Sequence, residues 1–120
     1  MKLKILGIRD AGRLQDERVL FEADDDGNVG AYVVLVSRVV GENRVSSLLR
    51  NPYWFPDRDI KKGDLIVLYS RAGTYNAIDN KDASKSHFFY IGSMQPLYQN
   101  DADCVIVMES NPWHFSSRRI

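Results

Sequence analysis

The stretch "FPDRDIKKGDLIVLYSRAG", residues 55–73, decides how this chain is read. Pro56 has no N–H to give to a sheet ladder, so it marks a strand boundary. Lys61, Lys62 and Gly63 then turn the chain with charge facing water, and glycine accepts the positive φ that such turns demand. Leu65 to Tyr69 form an unbroken apolar run, the pattern of a strand covered on both faces. Boundary, charged turn and apolar strand together describe the construction of a sheet. They do not describe a catalytic site.

The neighbouring apolar runs are short and of the same kind. "LKILGI" (3–8), "RVLFEA" (18–23), "AYVVLVSRVV" (31–40), "HFFYIG" (87–92) and "CVIVME" (104–109) all read as strands. In "RVLFEA" the alternation sets Val19 and Phe21 on one face, with Leu20 and Glu22 on the other. "RVSSLLRN" (44–51) fits a strand or one to two helical turns, and the strand is favoured. Between these runs lie "DDDGNVG", "VGEN", "RNPYWFPD", "IKKGD", "AGTYNAIDNKDASKS" and "YQNDAD", all rich in turn formers. The segment 71–86 reads as the longest loop. The expectation is an all-β domain over residues 1–120, with 111–120 as a C-terminal tail.

Length and composition fit one soluble domain with its own core: 120 residues, 44% hydrophobic and 27% charged. Sixteen Lys and Arg balance sixteen Asp and Glu, which argues against a long-range field for nucleic acid or an anionic membrane. The chain has one cysteine, Cys104, so no internal disulfide can form, and it reads as a small buried hydrophobe. No apolar run approaches the ~20 residues of a membrane helix, and the N-terminus lacks the pattern of a signal peptide. A cytoplasmic setting follows as the expectation.

Candidate chemistry is thin. "EADDDGNVG" places Glu22, Asp24, Asp26 and Gly27 at the first, third, fifth and sixth positions of a calcium loop. The twelfth position is Val33 where a bidentate Glu is required, so a β-hairpin turn over 24–28 is the preferred reading. His87 and His114 have no metal-ligand spacing, and His87 reads as the cap of a strand edge. Asp101 and Asp103 read as a solvated turn. No serine stands in a nucleophile elbow, and no phosphate loop or dinucleotide fingerprint is present. The expectation is a protein that is not an enzyme and that uses no metal or cofactor. The residues singled out for binding are Trp54, Arg71, Tyr75, Trp113, Arg118 and Arg119. Aromatic and arginine side chains of this kind serve protein interfaces, and they can also stack bases and hold phosphates.

The segment from Phe55 to Ser110 resembles the lamin-tail domain, an immunoglobulin-like β-sandwich. That family has a Phe-Pro stretch, a Leu-Lys-Pro-Gly turn and an apolar strand. Here Ile60 takes the apolar place, Lys61, Lys62 and Gly63 the turn, and Leu65 to Tyr69 the strand. "RAGTYN" matches the following loop, and Leu97, Tyr98 and Asn100 the turn before the last strand. "ERVLFEADDDGNVGAYVVLV" would supply the opening strands, which extends the resemblance over roughly residues 18–110. The resemblance implies six to eight short antiparallel strands and a binding or adaptor role, through a protein partner or self-association. Nucleic-acid binding through Arg71, Lys81, Lys85, Arg118 and Arg119 is the alternative.

Overall fold

Alternation in "RVLFEA" turns Val19, Phe21 and Ala23 to one side of strand β2 (Arg18–Ala23), where each is at most 1% exposed. Ile66 and Leu68 of β8 (Leu65–Tyr69) and Phe89 of β10 (Lys85–Tyr90) join them in one core. In this computed structural model, which describes residues 1–119, these strands belong to a five-stranded sheet in the order β1–β2–β8–β10–β9. Its edges are β1 (Leu3–Arg9) and β9 (Asn76–Asp79).

A second sheet is built on β4 (Tyr32–Gly41), whose β-branched run suits a central strand. β11 (Asp103–Glu109) pairs along one side of it, and β5 (Arg44–Val45) and β6 (Arg50–Trp54) pair along the other. Tyr32, Val34 and Val36 of β4 face the same core as Phe21 and Phe89. Where the chain passes from one sheet to the other it forms a small ribbon of β3 (Gly27–Asn28) and β7 (Asp59–Ile60), with a single 3₁₀ turn, Val29–Ala31, after β3. Phe55 sits where the sheets meet. Its ring makes edge-on contacts with Tyr53, Phe89 and Phe21 at centroid distances of 5.2, 5.0 and 6.1 Å.

The decisive turn is built as expected. Gly63 has φ of 85°, its N–H donates to Ala23 O at 2.9 Å, and Asp64 N–H closes the turn on Lys61 O at 3.0 Å. An unexpected polar tie lies nearby. Glu17, fully buried, accepts from Gly12 N–H, Ser70 Oγ, Leu97 N–H and Tyr98 N–H at 2.8, 2.5, 2.7 and 3.2 Å. One side chain thus joins the β1–β2 connection, the end of β8 and the 93–102 turn.

The all-β expectation stands, with several corrections. There are eleven strands among the described residues, and β8 and β10 run parallel where antiparallel pairing was expected. Parallel neighbours need a crossover, and residues 70–84 provide it. The supposed loop 71–86 therefore contains β9, which folds back on β10 as a hairpin. Residues 24–28 do not close a hairpin between β2 and β4, which lie in different sheets; they carry the chain from one sheet to the other. Asp24 there accepts Lys2 N–H at 2.6 Å, and Asp26 accepts Lys62 N–H at 2.8 Å. "RNPYW", read as a turn, is strand β6, and 44–51 divides between β5 and β6. Cys104 is only half-buried on β11. The Asp103 carboxylate is 1% exposed and ion-paired with Arg50 at 3.0 Å, not solvated. His87 caps no edge: it is 4% exposed in the interior. Among the described residues no helix is long and apolar enough to cross a membrane.

Candidate functional site

The six binding candidates do not converge on one place. The structure brings together Trp54 and Trp113. The chain enters this region along β6 and continues to Phe55, and the sides alternate: Tyr53 packs on the core, Trp54 points outward, Phe55 is buried. Trp54 is 45% exposed, yet its indole is fixed, because Nε1–H donates to Gly30 O at 2.7 Å. Trp113 reaches it from the segment after β11. That segment starts from Ser110, whose N–H and Oγ both donate to Ala31 O, at 2.6 and 3.0 Å. The two indoles meet edge to face, with centroids 4.7 Å apart and planes at 87°.

Together they wall a cleft of about 450 Å³ whose floor is polar. Asn28 organises that floor. Its Oδ1 accepts Gly30 N–H at 2.7 Å and Arg58 N–H at 3.0 Å, while its Nδ2 donates to Asp57 Oδ1 at 3.2 Å. Gly30 is needed here for space. A Cβ on it would overlap Asp57 Oδ1 and lie 3.0 Å from Asp57 Cα. No described ion pair involves Asp57, and the neighbouring cation is turned elsewhere: Arg58 lies over the Tyr75 ring at 3.7 Å.

Tyr75 belongs to a different pocket, and its surroundings were invisible in the sequence. Asp64 Oδ2 lies 2.9 Å from His87 Nε2, and His87 Nδ1 lies 2.8 Å from Tyr75 Oη. Asp64 also accepts Lys85 N–H at 2.9 Å and Lys61 N–H at 3.1 Å. Burial pushes the Asp64 carboxyl up, but the bonds from Lys85 N–H, His87 and Lys61 N–H outweigh it and hold the group below its ordinary range. The Asp64 carboxylate accepts from His87 Nε2–H and so orients the ring with Nδ1 toward the Tyr75 phenol. The pocket beside it, about 320 Å³, carries Arg58 and Lys61 on its wall. Tyr75 itself is half-buried against Phe89, with a centroid distance of 5.0 Å. The two backbone bonds to Asp64 make this network a tie between the 61–64 turn and the start of β10.

The sign of its pH dependence follows. A carboxyl whose pKa is lowered on folding stabilises the protein fully above its unfolded value, and that contribution is lost as pH falls through the folded value. The thermal midpoint should therefore fall on acidification below about pH 4, the unfolded range of Asp. In Asp64→Asn the midpoint at neutral pH should be lower and the acid slope shallower. Parallel acid slopes for the two proteins in a pH series of melts would reject this account.

Arg71 lies on the opposite, outer face of the five-stranded sheet. Its guanidinium covers Tyr69 at 4.6 Å and Tyr90 at 5.2 Å, and its Nε donates to Gln15 O at 3.0 Å. Tyr69 and Tyr90 stack at 5.5 Å. Arg118 and Arg119 are exposed in the terminal segment, outside any strand. Lys81 and Lys85 are exposed at the β9–β10 turn and the start of β10. Comparison with protein-family models gives no match for this chain, and comparison with curated proteins gives none either.

Proposed function

We propose that the chain is a non-catalytic interaction module, an immunoglobulin-like β-sandwich of the lamin-tail kind, that docks on a protein partner in the cytoplasm. The observation that carries this reading is the Trp54–Trp113 cleft. Two large aromatic side chains stay about half exposed, one of them tied by a hydrogen bond to Gly30 O, and share a concavity with an acidic group. Aromatic anchors of this kind dominate the energetics of protein interfaces. Val39, Val40, Val45, Leu48 and Leu49 are further exposed apolar side chains near the β4–β5 end, each at least 42% exposed.

The test is affinity capture from native cells with the wild-type chain and a Trp54→Ala/Trp113→Ala variant, with and without nuclease, read by mass spectrometry. A stoichiometric protein that survives nuclease and is missing from the variant supports the reading. Equal capture by both chains would remove the cleft from it. The second reading is single-strand nucleic-acid binding on the outer sheet face, which the Arg71–Tyr69–Tyr90 stack favours. That binding should fall steeply with salt, and capture that vanishes with nuclease would move the assignment there.

A further inference from the structure

The geometry points to a specific ligand chemistry for the cleft: a lysine-type ammonium, free or N-methylated, seated in the corner between Trp54 and Trp113 with Asp57 beneath it. This rests on the docking reading above and names what the partner must present.

Three features of the walls lead to it. First, a cation is attracted to an aromatic face from within about 6 Å of the ring centroid. With two indoles perpendicular and 4.7 Å apart, a compact cation in their corner falls within that range of both. Second, among the described residues the lining carries one carboxylate, Asp57, and no Lys, Arg or His. Arg58, next in sequence, has its guanidinium over Tyr75 and does not neutralise the site. Third, the Asp57 carboxylate is positioned from one side only. Asn28 Nδ2 holds Oδ1, and no described donor engages Oδ2.

These features discriminate between ligand classes. An anionic group would face Asp57 without a countercharge. A purely apolar side chain would cover Asp57 Oδ2 and leave it without a donor, which is costly. A guanidinium is planar and lies flat against one ring, whereas two perpendicular walls suit a compact, near-spherical ammonium. The Asn28 Oδ1 atom is already filled by two backbone N–H groups, and Asp57 is the charged acceptor that the described lining offers to the ammonium.

The probe is choline, compared with its neutral isostere 3,3-dimethylbutan-1-ol and with guanidinium. Each is titrated into ¹⁵N-labelled full-length protein while the indole Nε1–H resonances are followed. The Trp54 N–H bonds to Gly30 O and so reports directly from the cleft wall. Choline should shift both indoles with saturation in the millimolar range. The neutral isostere should bind roughly tenfold more weakly, the factor expected of a cation–aromatic term. Asp57→Asn should weaken choline several-fold, and Trp113→Ala should abolish the response. Both side chains are exposed, and matched melts will show that both variants fold. Equal or tighter binding of the neutral isostere or of guanidinium would overturn the ammonium assignment, as would indoles that no probe moves. Partner capture is scored separately: a partner lost with Trp54→Ala/Trp113→Ala, alongside indoles silent to choline, would refute the ammonium and leave the docking cleft standing.

Discussion

Glu17→Ala should leave no cooperative thermal transition at or above room temperature. Glu17 is fully buried and takes four hydrogen bonds, three from backbone N–H groups and one from Ser70 Oγ. Truncation strands three of those donors in the interior, Ser70 Oγ–H, Leu97 N–H and Tyr98 N–H, while Gly12 lies in an exposed turn. An unsatisfied buried polar group costs about 1–3 kcal/mol, so three together approach the roughly 5–15 kcal/mol stability of a whole domain. Glu17→Gln is the sharper variant, because it keeps the volume. Each oxygen faces at least one backbone N–H, Leu97 at Oε1 and Gly12 and Tyr98 at Oε2, so an amide N–H₂ would meet a donor whichever way it turned. Near-wild-type melting of Glu17→Gln would show that packing, not acceptor chemistry, matters here. Tyr98→Phe gives the opposite expectation. Tyr98 Oη is buried with no hydrogen-bond partner among the described residues, and burial together with the nearby Glu17 pushes its pKa well up. Its removal should leave the midpoint unchanged or raise it.

Phe55→Ala should lower the midpoint by about 10–25 °C, from a loss of roughly 3–5 kcal/mol. The ring is 3% exposed and touches aromatic side chains from β2, β6 and β10, so its cavity would open between both sheets at once. Neighbours belonging to different sheets cannot all close on the void. Lys62→Ala is the matched control from the same stretch. Its side chain is exposed, and the bond to Asp26 uses its backbone N–H, so its change should stay within about 0.5 kcal/mol. Similar melts for Phe55→Ala and Lys62→Ala would show that the 55–73 stretch does not build the core.

Much of the sheet construction was legible because it is local. The alternation of Val19 and Phe21, the Gly63 turn and the apolar run after it are set within a few residues, by side-chain period and by the φ that glycine allows. The all-β class follows from those same short-range patterns. Trp54 and Trp113 could be singled out by residue type, since large aromatic side chains among polar turn residues are marked by composition alone.

Pairing and juxtaposition were not legible. Nothing in the run Asn76–Asp79 distinguishes an exposed edge strand from a loop; only β10 beside it makes it a strand. The parallel register of β8 and β10 depends on where the connecting segment travels, which side-chain period does not encode. The partners of Glu17 include residues 80 and 81 positions away, and those of Asp64 and His87 come from three separate segments. Element type and the kinds of side chain available for binding are set locally, because propensity and periodicity act over one turn or strand. Which of those side chains share a cleft is a matter of long-range packing, because a buried carboxylate or a pair of perpendicular indoles exists only once distant segments are packed around one core.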